Sequence, residues 1–251
     1  MKTLSVKPLM MEGVKRICLW SGPRNISTAL MYSFAQRKDT KVFDEPLYAY
    51  YLRHHPQARQ YHPGAEDIIE AMENDGDTVV AMMLSNSEKP VLFFKHMTHH
   101  LLGLDKGFMK NTVNVILTRD PRDMLSSFYK VIPNPTIDDV GYALHLELMS
   151  YFKGNSIPFI VMEARRVLEN PRHCLTDLCR FAGIAFDENM LSWKPQQRVE
   201  DGIWAKYWYH SVHQSSGFQT YKPKTDPFPK HLIPLLEDCL PYYNTLMDYA
   251  I

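Results

Sequence analysis

No stretch of this 251-residue chain approaches the ~20 consecutive apolar residues that a helix needs to span a bilayer. Its opening, MKTLSVKPLMMEGVKR, also lacks the apolar centre of a secretory leader. The sequence therefore predicts a soluble, cytoplasmic protein with no membrane partner. Cysteine is scarce. Cys18, Cys174, Cys179 and Cys239 lack paired C-x-x-C spacing, which argues against a disulfide framework or a thiolate metal site and for buried free thiols. Net charge is missing too, because 28 basic side chains balance 28 acidic ones. With no overall field to attract a polyanion, nucleic acid is not an expected partner, and any anion has to be gripped locally. Internal repeats and low-complexity tracts are absent. The length suits one α/β domain over residues 1–251. A homodimer is compatible with the sequence.

Apolar, β-forming runs at 14–20, 41–44, 90–95, 113–118 and 157–162 predict strands. Helical patterns at 25–37, 65–74, 121–132, 137–153 and 171–182 separate or follow them, the last stopping at Gly183. This alternation argues for a parallel sheet with helical crossovers. Segment 191–230 differs: Trp193, Trp204 and Trp208, several prolines, Lys206, Lys222 and Lys224 and the stretch HQSSGFQTYKPK predict irregular structure lying over a site.

Two stretches read as strand, phosphate-sized turn and helix: RICLWSGPRNISTALM at 16–31 and VNVILTRDPRDMLSSFYK at 113–130. Unpaired N–H groups at a helix start, at its positive pole, suit a phosphate, so two such turns side by side suit a ligand phosphorylated at two ends. In the first, Gly22 permits close backbone approach, Pro23 fixes the turn and Arg24 adds a forked cation; Ser27 and Thr28 are placed to cap the helix or donate hydroxyls to phosphate. The triphosphate pattern G-x-x-x-x-G-K-[ST] is not met, because Ser27 and Thr28 stand where its second Gly and its Lys belong. In the second, Arg119 leaves the strand end, Pro121 suits a first helical turn, and Ser126 and Ser127 follow.

Together these stretches resemble the PAPS-dependent sulfotransferases, in which a P-K-S-G-T-T-like loop holds the 5′-phosphosulfate and an R-x-P-x-D-x-x-x-S pattern holds the 3′-phosphate. Here Pro23, Arg24, Asn25, Ile26, Ser27 and Thr28 match the first, with Arg24 in place of the usual Lys, and Arg119, Pro121, Asp123 and Ser127 match the second. FIVMEARRVLENPRHCLTDLCRFAGIAF at 159–186 is similar to the family's late strand and following helix. The resemblance implies a P-loop-type three-layer α/β/α fold with a central, mostly parallel sheet. It also implies a co-substrate, 3′-phosphoadenosine 5′-phosphosulfate (PAPS), a product, 3′-phosphoadenosine 5′-phosphate (PAP), and a small-molecule acceptor with a hydroxyl or amine. No metal is expected, the cations being side chains. Gly22 to Thr28, Arg119 and Ser127 would bind the nucleotide.

VFDEPLYAYYLRHH places Asp44 and Glu45 at a strand end, where a partly desolvated carboxylate could accept the acceptor's proton, and Glu45 is preferred. FFKHMTHHLL supplies Lys95, His96, His99 and His100. A zinc reading is weak because Met97 occupies the place of Glu in H-E-x-x-H. The segment instead resembles the family's K-x-H stretch, which implies that Lys95 neutralises charge on the transferred group and that His99 or His96 is an alternative base. WAKYWYHSVHQSSGFQTYKPK is read as a cover placing an aromatic on adenine and basic groups on phosphate, with Lys206, His213, Ser216 and Gly217 as its candidates. Phe43, Tyr48, Tyr50, Tyr51 and Tyr61 either line an acceptor pocket or belong to the core, and His54, His55 and His62 are equally suited to the surface. Two other classes stay open: a P-loop small-molecule kinase using Thr28 and Asp44 for magnesium, and a noncatalytic PAP-binding or interaction module.

Overall fold

Side chains of β1 (Lys15–Ser21) alternate between two buried faces: Ile17 and Leu19 join one apolar cluster, Cys18 and Trp20 the other. A computed structural model describes residues 13–251. The leader expectation falls on residues 1–12, which lie outside the described residues. β2 (Thr40–Asp44), β3 (Val91–Met97), β4 (Val113–Thr118) and β5 (Phe159–Glu163) complete a sheet ordered β2-β3-β1-β4-β5, with every pairing in it parallel. One face packs on the helices Ser27–Phe34 and Pro171–Ala182 through Leu30, Met31, Leu175 and Leu178. The other packs on Gly76–Ser85 and Tyr142–Gly154 through Val79, Met83, Leu148 and Phe152. Coverage on both faces explains why the strands read as nearly continuous apolar runs. The result is the expected three-layer α/β/α arrangement.

The helix Pro171–Ala182 ends on Gly183 in left-handed backbone (φ 68°), as the sequence predicts. The helix expected over 137–153 is two, Ile137–Val140 and Tyr142–Gly154, split where Gly141 turns left-handed (φ 76°). The helix expected over 25–37 spans Ser27–Phe34, and that over 121–132 stops at Phe128. Helices Tyr48–His54, Pro56–Tyr61, Gly76–Ser85 and Ile233–Met247 are not among those expected; Gly76 opens the third of these, and the last runs unbroken through Pro241. Among the described residues no helix is long and apolar enough to cross a membrane.

An all-parallel sheet brings the carboxyl ends of its strands to one edge, where open α/β sheets place their ligands. The register pairs Ser21 with Met97 and Leu117, and Asp44 with Lys95. The segments leaving β1, β2, β3 and β4 therefore converge.

Candidate active site

A cavity of about 380 Å³ opens at this edge, lined by every residue from Gly22 to Ala29 together with Glu45, Lys95, His99, Arg119, Ser127 and Gly217. That is the size range of small-molecule sites. At Gly22 a Cβ would lie 2.9 Å from the Val140 carbonyl oxygen, so the loop is pressed against the neighbouring helix pair in a way only glycine permits. Ile26 stands at the N-cap of helix Ser27–Phe34 and no side chain caps it. Ser27 and Thr28 are already helical, which corrects the capping expectation. The first-turn amides are thus left to the cavity, with the positive end of the helix behind them.

Asn25 pins the turn, its Nδ2 donating to the Leu117 carbonyl (3.0 Å) and its Oδ1 accepting from the Ile26 amide (3.0 Å). Arg119 Nη1 donates to the Arg24 carbonyl (2.7 Å), and Arg24 Nε donates to Ser127 Oγ (3.0 Å). The two phosphate-type turns are therefore one construction. Both guanidiniums bond to neutral oxygens rather than carboxylates, and burial together with the Arg119 charge lowers the pKa of Arg24. Behind Ser127, Asp120 caps the helix Pro121–Phe128 by accepting from the amides of Arg122 (2.8 Å) and Asp123 (3.4 Å). A third cation, Lys224, donates to the Asp123 carbonyl (2.7 Å) and is pushed down to about 8 by burial and by the Arg119 charge. In the sequence Lys224 stands out only as one of the basic residues of its segment. The Asp123 charge pulls Lys224 the other way, but Arg24 and Arg119 have no carboxylate among their hydrogen-bond partners, an arrangement suited to an anion.

Across the cavity stands a second charged group. Lys95 Nζ donates to Asp44 Oδ1 (2.8 Å), to Glu45 Oε1 and to the Tyr209 hydroxyl, which takes all three of its protons. The expected contact between Lys95 and the transferred group is corrected accordingly: Lys95 holds Glu45. Asp44 accepts further from Tyr209 (2.8 Å) and from the Gly202 amide (3.0 Å). Burial raises the Glu45 pKa against the opposing pull of Lys95. Burial works to lower Lys95, but Asp44 and Glu45 outweigh it and hold the ammonium well above its ordinary value. Three non-glycine residues among those described adopt left-handed backbone, and two are Arg24 (φ 50°) and Glu45 (φ 45°). Such conformations cost ~1–3 kcal/mol each and persist where the surroundings over-determine them.

β3 runs to Met97, two residues past its expected end, and this extension sorts the histidines. Alternation turns Lys95 toward the cavity and His96 to the opposite face, where it stacks on Trp20 (4.4 Å) with both ring nitrogens unpartnered. His96 is thereby removed as a base and from any shared site with His99 and His100. Those two line the cavity from the turn Thr98–Leu101, and His99 is pushed down to about 3 by burial and its His62 neighbour. A neutral, weakly basic His99 is a poorer proton acceptor than Glu45.

The segment over the site is irregular except for two one-turn helices, Ala205–Trp208 and His210–His213, and Trp204 and Tyr209 serve the carboxylate end. Trp204 packs against Tyr48 (5.0 Å) and donates to the Tyr209 hydroxyl (3.1 Å). Gly217 pairs with Ser192, and a Cβ there would meet the Leu191 carbonyl at 2.9 Å. Lys206, His213 and Ser216 do not line the cavity: His213 Nε2 sits 3.0 Å from Asp201, Lys206 lies over Tyr207, and the Ser216 carbonyl accepts from Trp193. Tyr48, Tyr51, Tyr61 and His62 do line it, whereas Phe43 stacks on Phe94 (4.7 Å) and Tyr50 bonds to Leu102. Tyr209 and Asp139 were missed, because neither carries a local motif.

A family model described as Sulfotransferase domain matches residues 15–250. Two Arabidopsis thaliana proteins, branched-chain-amino-acid aminotransferase-like proteins 1 and 2, are 38% identical over 233 residues and 37% over 229 residues. The matches cover 92% and 90% of this chain but 41% and 40% of those proteins, so the chain spans about two fifths of their length. Among solved structures, the sulfotransferase domain of the Synechococcus olefin synthase superposes with a TM-score of 0.53 at 14% identity, over 92% of this chain and 97% of that one. A sulfotransferase from Alicyclobacillus acidocaldarius does so at 0.55 and 11%, over 94% and 97%. At those identities the likeness shows a shared fold.

Proposed function

The chain belongs to the sulfotransferase domain family, and from that premise we propose that it transfers a sulfuryl group from PAPS to a hydroxyl or amine of a small molecule. The observation that carries this reading is the tie between the turns: Arg24 and Arg119, bonded through Ser127 and the Arg24 carbonyl, share one cavity with the raised carboxylate of Glu45. Arg119, Ser127 and Lys224 would take the 3′-phosphate. The uncapped amides of Ser27 and Thr28 and the Arg24 guanidinium would take the 5′ end. In the transfer the acceptor oxygen or nitrogen bonds to sulfur and the bond from sulfur to the 5′-phosphate oxygen breaks. The acceptor's proton passes to Glu45, and PAP leaves with its new charge facing Arg24 and the helix amides. Lys95 and Tyr209 hold the Glu45–Asp44 pair in place.

Against the kinase reading, one of its two proposed magnesium ligands is engaged elsewhere, both Asp44 oxygens bonding to Lys95, Tyr209 or the Gly202 amide. Thermal shifts with PAP, ADP and ATP, each with and without magnesium, test the donor class. Preferential stabilisation by PAP without magnesium is expected. Stabilisation by magnesium-ATP alone would replace this reading with phosphoryl transfer, and tight PAP binding with no transfer to any acceptor would favour the noncatalytic module.

A further inference from the structure

Beyond Glu45 the cavity is walled by rings. Tyr48 and Tyr51 stack on His100 (4.8 and 4.9 Å), Tyr51 meets His99 (4.8 Å), and Tyr61 meets His62 (5.1 Å). The imidazoles bring no charge: burial pushes His62 down to about 4 and His99 to about 3, and the Nδ1 atoms of His99 and His100 are buried without a partner. At the far end stands Asp139, accepting from the Tyr61 hydroxyl (2.7 Å) and from the Thr136 amide (2.7 Å) and hydroxyl (2.8 Å). Burial opposes its charge, but those bonds prevail and keep the carboxyl below its ordinary range. Every one of its bonds comes from a neutral donor, so its charge is unbalanced.

The cavity is thus polarised. Its donor end carries Arg24 and Arg119; its other end carries Glu45 and Asp139, and Lys95, which is shared between Glu45 and the buried Asp44 behind it, is the cation lining that end among the described residues. Faces of tyrosine rings attract cations, and a carboxylate beside them adds to the pull. An anionic acceptor would instead meet uncompensated negative charge. We infer that the acceptor is a small hydroxyl compound bearing a cationic ammonium group, its hydroxyl at Glu45 and its cation among Tyr51, Tyr61 and Asp139. This rests on the sulfuryl-transfer reading and names the substrate class of the same site. The order Glu45, His100, His99, Asp139 along the wall sets the hydroxyl and the cation apart: Glu45 Oε2 lies 3.9 Å from His100 Nε2, the two imidazole centroids lie 4.7 Å apart, and Asp139 acts on His99.

The test uses the full chain saturated with PAP and matched probes. Choline is compared with neohexanol, its uncharged carbon isostere, and tyramine with para-ethylphenol and para-hydroxyphenylacetate. Binding is read by calorimetry and turnover with radiolabelled PAPS. In at least one set the cationic member should bind and turn over about tenfold or more better than its neutral partner, with the anion poorest. Asp139→Asn should cut that preference to about threefold or less with PAP affinity retained. Because Asp139 also caps a helix, Tyr51→Leu serves as a second variant and should weaken the preference with the carboxylate intact. Equal or better use of the neutral members, or a preference that survives both variants, overturns the inference while PAP binding keeps the donor reading standing. Absence of PAP binding removes the donor reading and this inference with it.

Discussion

Lys224 offers a quantitative handle on the anion site. In the free protein its pKa is pushed down to about 8 by burial and the Arg119 charge. A bound phosphate dianion would reverse that, returning the ammonium to its ordinary range, so binding above pH 8 must take up a proton. The sign follows: PAP affinity is full while Lys224 is protonated and falls as pH rises through 8. For a group titrating at about 8 the loss factor is one plus the ratio of neutral to charged lysine, so affinity should drop roughly tenfold between about pH 7 and pH 9. Lys224 is only partly buried and keeps much of its surface in water, so salt will shrink the effect toward about threefold and the titration belongs at low ionic strength. Few other groups obscure the window. Burial, the largest influence on each, pushes the four thiols up to about 11 or 12 and His62 and His145 down to about 4. Calorimetric titration of PAP across this range, on the native chain and on Lys224→Met, reads the effect directly. The variant should bind about tenfold more weakly at pH 7 and show no inflection near 8. A flat native profile, or a slope that persists in Lys224→Met, would refute the assignment of Lys224 to the phosphate.

The other expectations concern the remaining charges. Glu45→Gln should lower turnover about a hundredfold to ten-thousandfold while PAP still binds, in steady-state kinetics paired with calorimetry; undiminished turnover would move the base elsewhere. Lys95→Met leaves two buried carboxylates, Asp44 and Glu45, without their cation, and should destabilise the fold by about 3–5 kcal/mol in urea unfolding. A loss below about 1 kcal/mol would mean the cluster is not ionised as described. Ser127→Ala should weaken PAP binding by about tenfold, whereas Arg24→Ala should depress turnover more than affinity; the reverse pattern would exchange the two phosphate ends.

What could be read from the sequence was local. A strand stopping near Ser21 or Thr118, a phosphate-sized turn and a helix are encoded within about twenty neighbouring residues, and Pro121 and Gly183 mark the start of one helix and the end of another by backbone chemistry alone. What escaped was either a matter of register or of distance. Ending β3 at Lys95 left His96 free to face the site; two further strand residues turned it onto Trp20. Tyr209 lies 114 residues from Lys95, and Asp139 sits 78 residues from the Tyr61 that bonds to it. Such contacts arise only when the sheet edge gathers its loops. The tyrosines at 48, 51 and 61 illustrate the ambiguity, since a helix buries Tyr48 while leaving one edge of it on the cavity, which apolar spacing cannot distinguish from core.

A crystal structure of the full chain with PAP would examine the central claim most directly. The 3′-phosphate is expected between Arg119, Ser127 and Lys224, and the 5′-phosphate on the amides of Ser27 and Thr28 beside Arg24, turned toward Glu45. Density for PAP outside the Gly22–Thr28 turn, or with its 3′-phosphate at Glu45, would contradict the account.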